Sequence, residues 1–484
     1  MLWSLGGEPR PRSSPRALAL STPAETLPRV GPAPAPARPP DRVAALAWAV
    51  WLVLAVNGGV IVWLWLGGGG VTQVHGAADL WTSLGRITGL LGAYLALIQI
   101  LLLARLPPLE HRLGFDRLTV WHRRNGKLCI YAVLAHAILI TIGYALADRI
   151  SVPGEFSRLL SSYPGMVTAT VGTLLMVAIV ISSVIIVRRR LPYEAWYALH
   201  FTIYAAIALA YLHQLPTGNE FTADPGQRDY WIAVYLVTLA LLLAFRLVRP
   251  LARARRHRLR VTAVTRETAN VVSVHVTGRH LDRLGAQAGQ FMVWRFLSPG
   301  RWWQAHPFSL SAAPDGRELR ITVKDVGGFT HRLADLPPGT RVLAEGPFGR
   351  FGAPLRRRRR VTLIAGGIGI TPLRALFEAL PAPAGELALI HRVVAEDELV
   401  LREELERLAG DRGAILRFVV GDHRDPRHAH LLSPAHLLEL VPEIADGDVY
   451  LCGPPEMMRR TTQSLRAAGV PAGQIHRERF ALAA

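Results

Sequence analysis

Six apolar segments in the first half of the chain constrain its fold more than any other feature. They lie near residues 43–66, 85–104, 125–147, 165–187, 195–213 and 230–248. Each is close to the roughly 20 residues that an α-helix needs to cross the hydrocarbon core of a bilayer. The sequence therefore predicts an all-α bundle of six transmembrane helices.

The third and fifth segments each carry two histidines. His122 and His136 are fourteen residues apart, and His200 and His213 are thirteen apart. At about 1.5 Å per residue, the members of each set lie roughly 20 Å apart along the helix axis. Two parallel helices would then present facing histidines at two depths, an arrangement that binds two stacked haems. A lone histidine in a membrane helix commonly does no more than hydrogen-bond a neighbouring helix, but four at matched depths indicate a function.

The spacing in the fifth segment fits this arrangement less well than the spacing in the third. Fourteen helical residues return to nearly the same face, off by about 40°, whereas thirteen end about 140° away. We therefore expect the fifth helix to contain a local π-type widening, or its two haems to approach from different sides.

The basic residues of the chain surround the apolar segments. The formal charge of +19 comes from 55 basic and 36 acidic residues. This placement indicates a membrane protein rather than a nucleic-acid partner. Arginine and lysine concentrate after the second, fourth and sixth segments, so the positive-inside rule predicts that both termini are cytoplasmic. The His122/His200 pair then lies near the cytoplasmic face of the plasma membrane, and the His136/His213 pair lies toward the outside.

The rest of the chain divides by composition and periodicity. Residues 1–42, rich in Pro, Ala and Arg, read as a disordered cytoplasmic tail ahead of the membrane domain at 43–250. Short alternating strands predict an antiparallel β-barrel at 257–355. Apolar strands that alternate with helices predict an α/β domain with a parallel sheet at 360–484. Because the chain has only Cys129 and Cys452, a disulfide framework and a four-cysteine metal cluster are excluded, and any iron must be bound by histidine.

Two kinds of glycine-rich or proline-rich motif occur in the barrel region. HPFSLSAAP (306–314) lies at a strand end, where a fixed backbone and a hydroxyl can place a polar edge beside a flat ring. GGFT (327–330) and GPFG (346–349) are turns whose backbone N–H groups can meet phosphates, with Gly346 and Gly349 as candidates. Each motif alone is also compatible with an ordinary strand end or turn.

The α/β region contains a stronger binding signal. In LIAGGIGITPLRAL (363–376) a buried strand enters a glycine turn, and a helix begins near Thr371 with Pro372 in its first turn. Bare backbone at a helix N-terminus is suited to a pyrophosphate, although a tight strand-to-helix turn is the simpler alternative. YLCGPPEMM (450–458) ends a later strand at the carboxyl edge where such sheets bind ligands.

These motifs, with the terminal HRERF, occur in an order and at spacings that resemble the ferredoxin–NADP reductase family. Together with the six helices and the four histidines, the chain from about 43 to 480 resembles the ferric reductase / NADPH oxidase superfamily. The resemblance implies FAD, two haem b groups and NAD(P)H, with NADPH slightly favoured, as cofactors. It also implies residues that line the flavin and its pyrophosphate: His306, Pro307, Phe308, Ser309, Lys324, Gly328 and Thr330. In this family pattern the Ser309 hydroxyl lies near the reactive ring nitrogen.

The resemblance also implies roles in the α/β region. The nicotinamide dinucleotide would be bound by Gly366, Gly367, Gly369, Thr371 and Pro372, and the nicotinamide itself would lie beside Cys452, Gly453 and Pro454. Arg392 is placed to meet a 2′-phosphate, with an ordinary surface arginine as the alternative. Phe480 matches the aromatic residue that covers the flavin, although ALAA follows it here.

The implied activity is transmembrane electron transfer from cytoplasmic NAD(P)H to an acceptor outside, with ferric complexes favoured. Arg86 would lie near the outer haem, where a cation can hold oxygen or superoxide, or would simply be an interface arginine. The alternatives are a superoxide-producing oxidase, a reductase of a quinone or partner protein, and, more remotely, a histidine-lined transporter or sensor with a regulatory nucleotide domain. We expect membrane lipid and a small-molecule electron acceptor as partners and no nucleic acid; a partner protein or a homo-oligomer stays open.

Overall fold

The structure is a computed structural model that describes residues 42–184, 193–300, 302–422 and 424–478. Almost all of the predicted tail (1–42), and Phe480, lie outside these ranges.

The first half of the chain forms the six helices that the sequence predicts. They are long and apolar enough to cross a membrane, and they cover Trp48–Gly67, Ala77–Leu102, Arg117–Asp148, Met166–Ser183, Ala195–Thr217 and Pro225–His257. Large apolar side chains on their surfaces are exposed, among them Leu174 and Leu236. Contiguous exposed apolar surface of this kind is suited to lipid and not to water. The six-helix prediction is confirmed.

The helical elements that carry or flank the histidines have well-defined bounds. They are α1 (Arg42–Gly67), α2 (Ala77–Leu102), α3 (Pro107–Leu113), α4 (Phe115–Asp148), α5 (Val152–Ser162), α6 (Met166–Ser183), α7 (Tyr193–Phe201), α8 (Ile203–Thr217) and α9 (Asn219–Thr222). The fifth span consists of α7 and α8 together.

Small residues bring α2 and α4 into close contact. A Cβ atom at Gly85 would lie 2.7 Å from Cγ1 of Ile140, and one at Gly89 would lie 2.5 Å from Nδ1 of His136. Glycine at these positions lets the two backbones approach, as is common in membrane helix pairs. Gly89 in particular leaves room for the His136 ring.

The fifth span contains an interruption at Thr202, between α7 and α8. The Thr202 N–H donates to the Leu199 carbonyl at 3.1 Å, and the Thr202 hydroxyl donates to the same oxygen at 2.6 Å. A bond between residues three apart belongs to a tight turn of about 120° per residue, against 100° in an α-helix. This adds about 60° of rotation, so that about 80° of the predicted offset of about 140° is left. The irregularity seen in the described part of the fifth span is thus a tighter turn and not the predicted π-type widening, and the alternative, that the two haems approach from different sides, stays a prediction.

The sixth span runs without a break into the second half of the chain. It consists of α10 (Pro225–Leu243), a π-helical turn (Ala244–Val248) and α11 (Arg249–His257). Arg258 ends the helix with a left-handed φ of 46°, and the first strand begins at Arg260. Only two residues thus separate a membrane-spanning helix from the first sheet.

Two three-stranded antiparallel sheets follow. Their strands are β1 (Arg260–Thr268), β2 (Val271–Thr277), β3 (Phe291–Phe296), β4 (His306–Ser309), β5 (Glu318–Lys324) and β6 (Val342–Phe348). The sheet orders are β1-β2-β5 and β4-β3-β6, and isolated bridges such as Leu310–Ile321 link them. The predicted antiparallel strands are present in two sheets, which the bridges Arg260–Arg341 and Leu310–Ile321 link at both edges, whereas a closed barrel stays a prediction.

A five-stranded parallel sheet forms the last part of the chain. Its order is β11-β10-β7-β8-β9, from β7 (Val361–Gly366), β8 (Leu387–Val393), β9 (Ile415–Val420), β10 (Asp448–Cys452) and β11 (Ile475–Glu478). The helices are α12 (Ile370–Ala379), α13 (Arg402–Arg412), α14 (Pro434–Leu440) and α15 (Pro455–Ala467). The central strands β7, β8 and β10 are buried along their whole length, as expected for a sheet covered on both faces. This is the predicted α/β architecture.

Candidate functional site

The four membrane histidines form two facing pairs. The ring centres of His122 and His200 are 6.0 Å apart, and those of His136 and His213 are 6.3 Å apart. His122 and His136 lie on the single helix α4, so the two pairs are about 21 Å apart along its axis. The structure thus brings together the residues that the sequence pairs, at two depths.

Hydrogen bonds orient three of the four rings. Nδ1 of His122 lies 3.2 Å from the Gln99 carbonyl oxygen, and Nδ1 of His136 lies 2.8 Å from that of Gly85. Nδ1 of His213 contacts the Ala210 carbonyl within its own helix. A carbonyl can only accept, so each of these Nδ1 atoms carries the proton and Nε2 keeps its lone pair. Such a backbone partner typically fixes the tautomer of a metal-binding histidine.

The geometry of the pairs fits a metalloporphyrin. A metal–nitrogen bond of about 2 Å on each side, plus about 1 Å from each nitrogen to its ring centre, separates two axial imidazoles by about 6 Å. Both observed separations match this value. The described residues contain no cluster of three or more histidine, cysteine or acidic side chains suited to a metal ion. Two protein ligands per site suffice when a porphyrin supplies the other four, so this donor set fits haem better than a bare ion.

Arg86 is engaged by a carboxylate. Its guanidinium lies 2.6 Å from Oε1 of Glu220 and donates to the Gly68 carbonyl at 3.0 Å. The side chains of Arg86 and Glu220 are 14% and 4% exposed, so the pair is largely shielded from solvent. Glu220 was not identified from the sequence, because 134 residues separate it from its partner.

The two motifs of the flavin region meet on one strand. β3 lies between β4 and β6, and Phe291 of β3 is the register partner of both Ser309 and Phe348. The HPFS and GPFG motifs are therefore brought to the same level of one sheet. His306 stacks on Phe329 with ring centres 4.1 Å apart, and Pro307 and Phe308 continue β4 to the buried Ser309.

The turn after β5 has a left-handed backbone that favours glycine. Gly327 and Gly328 have φ values of 91° and 56°, and the Thr330 hydroxyl donates to the Gly327 carbonyl at 2.9 Å. Lys324, at the end of β5, lies 3.1 Å from Oε1 of Glu398. This hydrogen bond lowers the pKa of the Glu398 carboxyl from its ordinary value. Lys324 thus connects the flavin region to the α/β region, and its predicted contact with a pyrophosphate stays a prediction.

The glycine turn after β7 packs directly against the end of β10. A Cβ atom at Gly369 would lie 2.6 Å from the Cys452 carbonyl carbon and 2.8 Å from Cα of Gly453. A Cβ at Gly453 would in turn lie 2.9 Å from Cα of Gly366. Gly367 has a left-handed φ of 51° and open space around it. Two strand ends can approach this closely only because both turns lack side chains, and bare N–H groups remain at the start of α12.

The residues predicted around this turn lie at the same edge of the sheet. Thr371 and Pro372 are in the first turn of α12, which begins at Ile370. Gly366 is the register partner of Arg392 on β8, and Cys452 ends the neighbouring β10, followed by Gly453 and Pro454. These are the carboxyl ends of three adjacent parallel strands, the usual place for a ligand in an open α/β sheet.

Burial determines the charge of the side chains at this edge. It raises the pKa of the Cys452 thiol well above its ordinary value, so the sulfur stays neutral and weakly nucleophilic. Burial also lowers the pKa of Arg392, an effect that nearby Asp422 opposes. An arginine nonetheless remains cationic at neutral pH.

His391 was not identified from the sequence, although it precedes Arg392. It is fully buried on β8, and its Nε2 lies 3.2 Å from the carbonyl oxygen of Gly367 in the glycine turn. Burial lowers the pKa of the imidazole to about 4, so the ring is neutral near pH 7 and Nε2–H can donate to that carbonyl. A histidine between the apolar run LALI and Arg392 was the available signal.

Three family comparisons match successive parts of the chain. Residues 88–211 match a ferric reductase like transmembrane component, residues 256–351 an FAD-binding domain, and residues 363–463 an oxidoreductase NAD-binding domain.

Curated relatives match part of the chain. A flavohemoprotein of Xylella fastidiosa is 28% identical over 204 residues, 40% of this chain and 51% of the relative. An NADPH oxidoreductase of Mycobacterium tuberculosis is 28% identical over 244 residues, 49% of this chain and 63% of the relative. The chain thus spans about half to two thirds of the length of these relatives. The solved flavohem-like FAD/NAD binding domain of a nitric oxide dioxygenase from Vibrio cholerae is 27% identical and covers 47% of this chain and 99% of that structure, with a TM-score of 0.39.

Proposed function

The chain joins a ferric reductase-like transmembrane component to an FAD-binding and an NAD-binding domain, a ferric reductase / NADPH oxidase-type fusion, and we propose that it transfers electrons across a membrane. The donor is NAD(P)H, with NADPH favoured, and the acceptor lies on the outer side, with ferric complexes favoured. The bound cofactors supply the redox chemistry, since a flavin takes electrons in pairs and haem iron accepts them singly.

The spacing of the histidine pairs carries this proposal. Two imidazole pairs at 6.0 and 6.3 Å, one above the other in an apolar bundle, suit two haems with a histidine on each face. His122 and His200 would hold the haem nearer the flavin, and His136 and His213 the outer one. The two groups held by these histidines would supply one-electron transfer toward the acceptor.

The module beyond the helices would bind and orient the two electron-donating cofactors. Ser309 and the β4 residues before it would line the flavin, and the glycine turn at 366–369 would bind the dinucleotide phosphates through backbone N–H groups. The neutral Cys452 thiol would lie against the nicotinamide without attacking it. The remaining predicted contacts, including those of Lys324 and Phe480, belong to this proposal as well.

The distribution of charge supports a cytoplasmic module in the plasma membrane. Exposed basic residues lie near the start of the third span and at the end of the sixth, for example Arg123, Arg124, Arg255 and Arg256, and such residues concentrate on the cytoplasmic side. NAD(P)H is a cytoplasmic donor, so this orientation supplies it on the correct side.

The environment of Arg86 disfavours a role of this residue in holding an oxygen anion. Glu220 offsets the charge of Arg86 at 2.6 Å, which weakens the attraction of this site for an oxygen anion. An oxidase in which Arg86 holds oxygen, and a reductase of a quinone or partner protein, remain the second candidates.

The test is steady-state turnover of the purified protein against ferric chelate, oxygen and a quinone in parallel. We expect a haem Soret band, flavin fluorescence on denaturation, and fastest turnover with the ferric chelate. Superoxide release that persists after iron chelates are removed would support the oxidase. A protein without a Soret band or flavin would contradict electron transfer and support a transporter or sensor.

A further inference from the structure

The end of β6, from Glu345 into the GPFG motif, contacts three arginines of the membrane domain. Arg246 lies 3.8 Å from Oε2 of Glu345, and Arg253 donates to the Gly346 carbonyl. The guanidinium of Arg105 lies 4.4 Å from the centre of the Phe348 ring. We call Arg105, Arg246 and Arg253 the arginine clamp. Three successive parts of one strand end are thus bound in three different ways: by an ion pair, a hydrogen bond and a cation–π contact.

The clamp arginines come from two separate elements of the membrane domain. Arg105 follows α2, whereas Arg246 and Arg253 belong to the helical run of the sixth span. Contacts from two directions fix both the position and the rotation of β6, which a single contact cannot do.

Two backbone irregularities coincide with the clamp. Arg105 has a left-handed φ of 65°, which costs a non-glycine residue free energy. Arg246 lies within the π-helical turn Ala244–Val248, and such turns are frequent at functional sites. Each irregularity changes the direction in which the side chains around it project.

The clamped strand end belongs to the sheet that carries the flavin motif. Phe348 pairs with Phe291, which also pairs with Ser309, and the rings of Phe291 and Phe348 are 5.7 Å apart. Arg105 and Phe291 thus both contact the Phe348 ring. Phe348 and Phe291, two residues of the β3–β6 ladder, therefore connect the clamp to the HPFS motif.

We propose that Arg105, Arg246 and Arg253 are positioning residues that dock the flavin sheet onto the membrane domain and thereby set the rate of electron transfer from the flavin to the His122/His200 site. This inference rests on the proposed function. It differs from the role predicted for Gly346 and Gly349 from the sequence, because the Gly346 carbonyl is used for docking between domains.

The first experiment measures the two electron-transfer steps separately in purified full-length protein. Stopped-flow absorbance follows flavin bleaching by NADPH and, separately, the Soret shift of haem reduction. Arg246→Glu should slow haem reduction and leave flavin bleaching unchanged. The slowing should be only about fivefold, because one partly exposed ion pair contributes little. Neutralising all three arginines to Gln should slow haem reduction by more than about tenfold.

Charge reversal gives a sharper test of position. In the double variant Arg246→Glu/Glu345→Arg the ion pair is restored with opposite polarity, and haem reduction should recover to within about twofold of the unmodified rate. Arg255→Glu is the matched control, because Arg255 is exposed on the same helix and outside the clamp. Equal slowing by Arg255→Glu, or no slowing by the triple variant, would overturn the inference.

A second measurement does not depend on electron transfer. Amide hydrogen exchange in the resting protein should rise in residues 342–349 of the triple variant. It should stay unchanged in β7, which belongs to the five-stranded parallel sheet. Unchanged exchange in 342–349 would overturn docking by these residues. If the unmodified protein lacks haem reduction altogether, the proposed function fails, while the exchange measurement still decides whether the arginines dock the strand.

Discussion

The membrane bundle and the parallel-sheet region build their sites from different parts of the chain. In the bundle the candidate ligand atoms are side-chain nitrogens, and backbone carbonyls orient their rings, as Gly85 does for His136. At the sheet edge the candidate binding surface is mainly backbone, and it is left open because Gly366, Gly369 and Gly453 have no side chain. The bundle should therefore be sensitive to the loss of a side chain, and the sheet edge to the gain of one.

The largest effect should follow from removing a ring in the bundle. His136→Leu should abolish delivery to an outside acceptor and the spectrum of the outer haem, and should spare reduction of FAD by NADPH. Acceptor reduction and a low-temperature haem spectrum measure the two outcomes. His75→Leu, at an exposed site between α1 and α2, is the control. Unchanged electron transfer in His136→Leu would refute the hypothesis that His136 and His213 hold a haem.

The converse change at the sheet edge adds a single methyl group. Gly369→Ala places that group against the backbone of Cys452 and Gly453, so the turn must move, and a shift of about 1 Å can cost roughly 100-fold in rate. We expect kcat/KM for NADPH to fall by about that factor while haem content stays constant. Gly410→Ala is the control, since a methyl at this helical glycine meets no atom within 4 Å. Similar kinetics for both variants would show that the close approach of the two turns is unimportant.

The stability of the folded sheet should depend on pH through the titration of His391. Its pKa is lowered to about 4 in the folded chain, so the unfolded state binds more protons between about pH 6.5 and 4. The contribution of His391 to the free energy of unfolding is therefore complete above about pH 6.5, and it falls by roughly 3 kcal/mol as the pH drops to about 4.

Urea titrations followed by flavin release, repeated across this pH range, measure that loss. His391→Gln should flatten the pH dependence, whereas His430→Gln, at an exposed site, should not. A wild-type-like slope in His391→Gln would assign the pH dependence to other groups.

The smallest effect concerns a side chain at the backbone-built edge. Arg392→Gln should lower the ratio of kcat/KM for NADPH over NADH by about tenfold, because one charge-assisted bond to a 2′-phosphate is lost. Parallel assays with the two dinucleotides measure it. Arg417→Gln, exposed on the adjacent β9, should leave the ratio unchanged. An unaltered ratio in Arg392→Gln would mean that this edge does not distinguish the two donors.

Features that depend on local pattern were predictable from the sequence. The length of the apolar segments gave the six helices, and the strand–glycine–helix order gave the turn at 366–371. The spacing of the histidines predicted which of them pair. It did not predict the tight turn at Thr202 in the fifth span, because no helix-breaking residue marks it. Threonine is common in helices, so its hydroxyl bond to Leu199 has no sequence signature.

Features that depend on contacts between distant residues were not predictable. Glu220 reaches Arg86 across 134 residues, and the Gly346 carbonyl of the GPFG turn contacts Arg253, whereas the contact predicted between the N–H groups of this turn and a phosphate stays a prediction. In both cases the sequence identified a polar group and not its partner. Charge pairing over such separations follows from how the elements pack, which periodicity does not encode.

The unbroken run from Pro225 to His257 has a mechanical consequence. Since only Arg258 and Leu259 separate it from β1, no flexible linker can absorb an error in its length. One inserted residue would swing the attached domains by about 100° around the helix axis, whereas four would nearly restore their heading. The number of residues in the sixth span thus fixes how the domains that follow it are rotated about the helix axis.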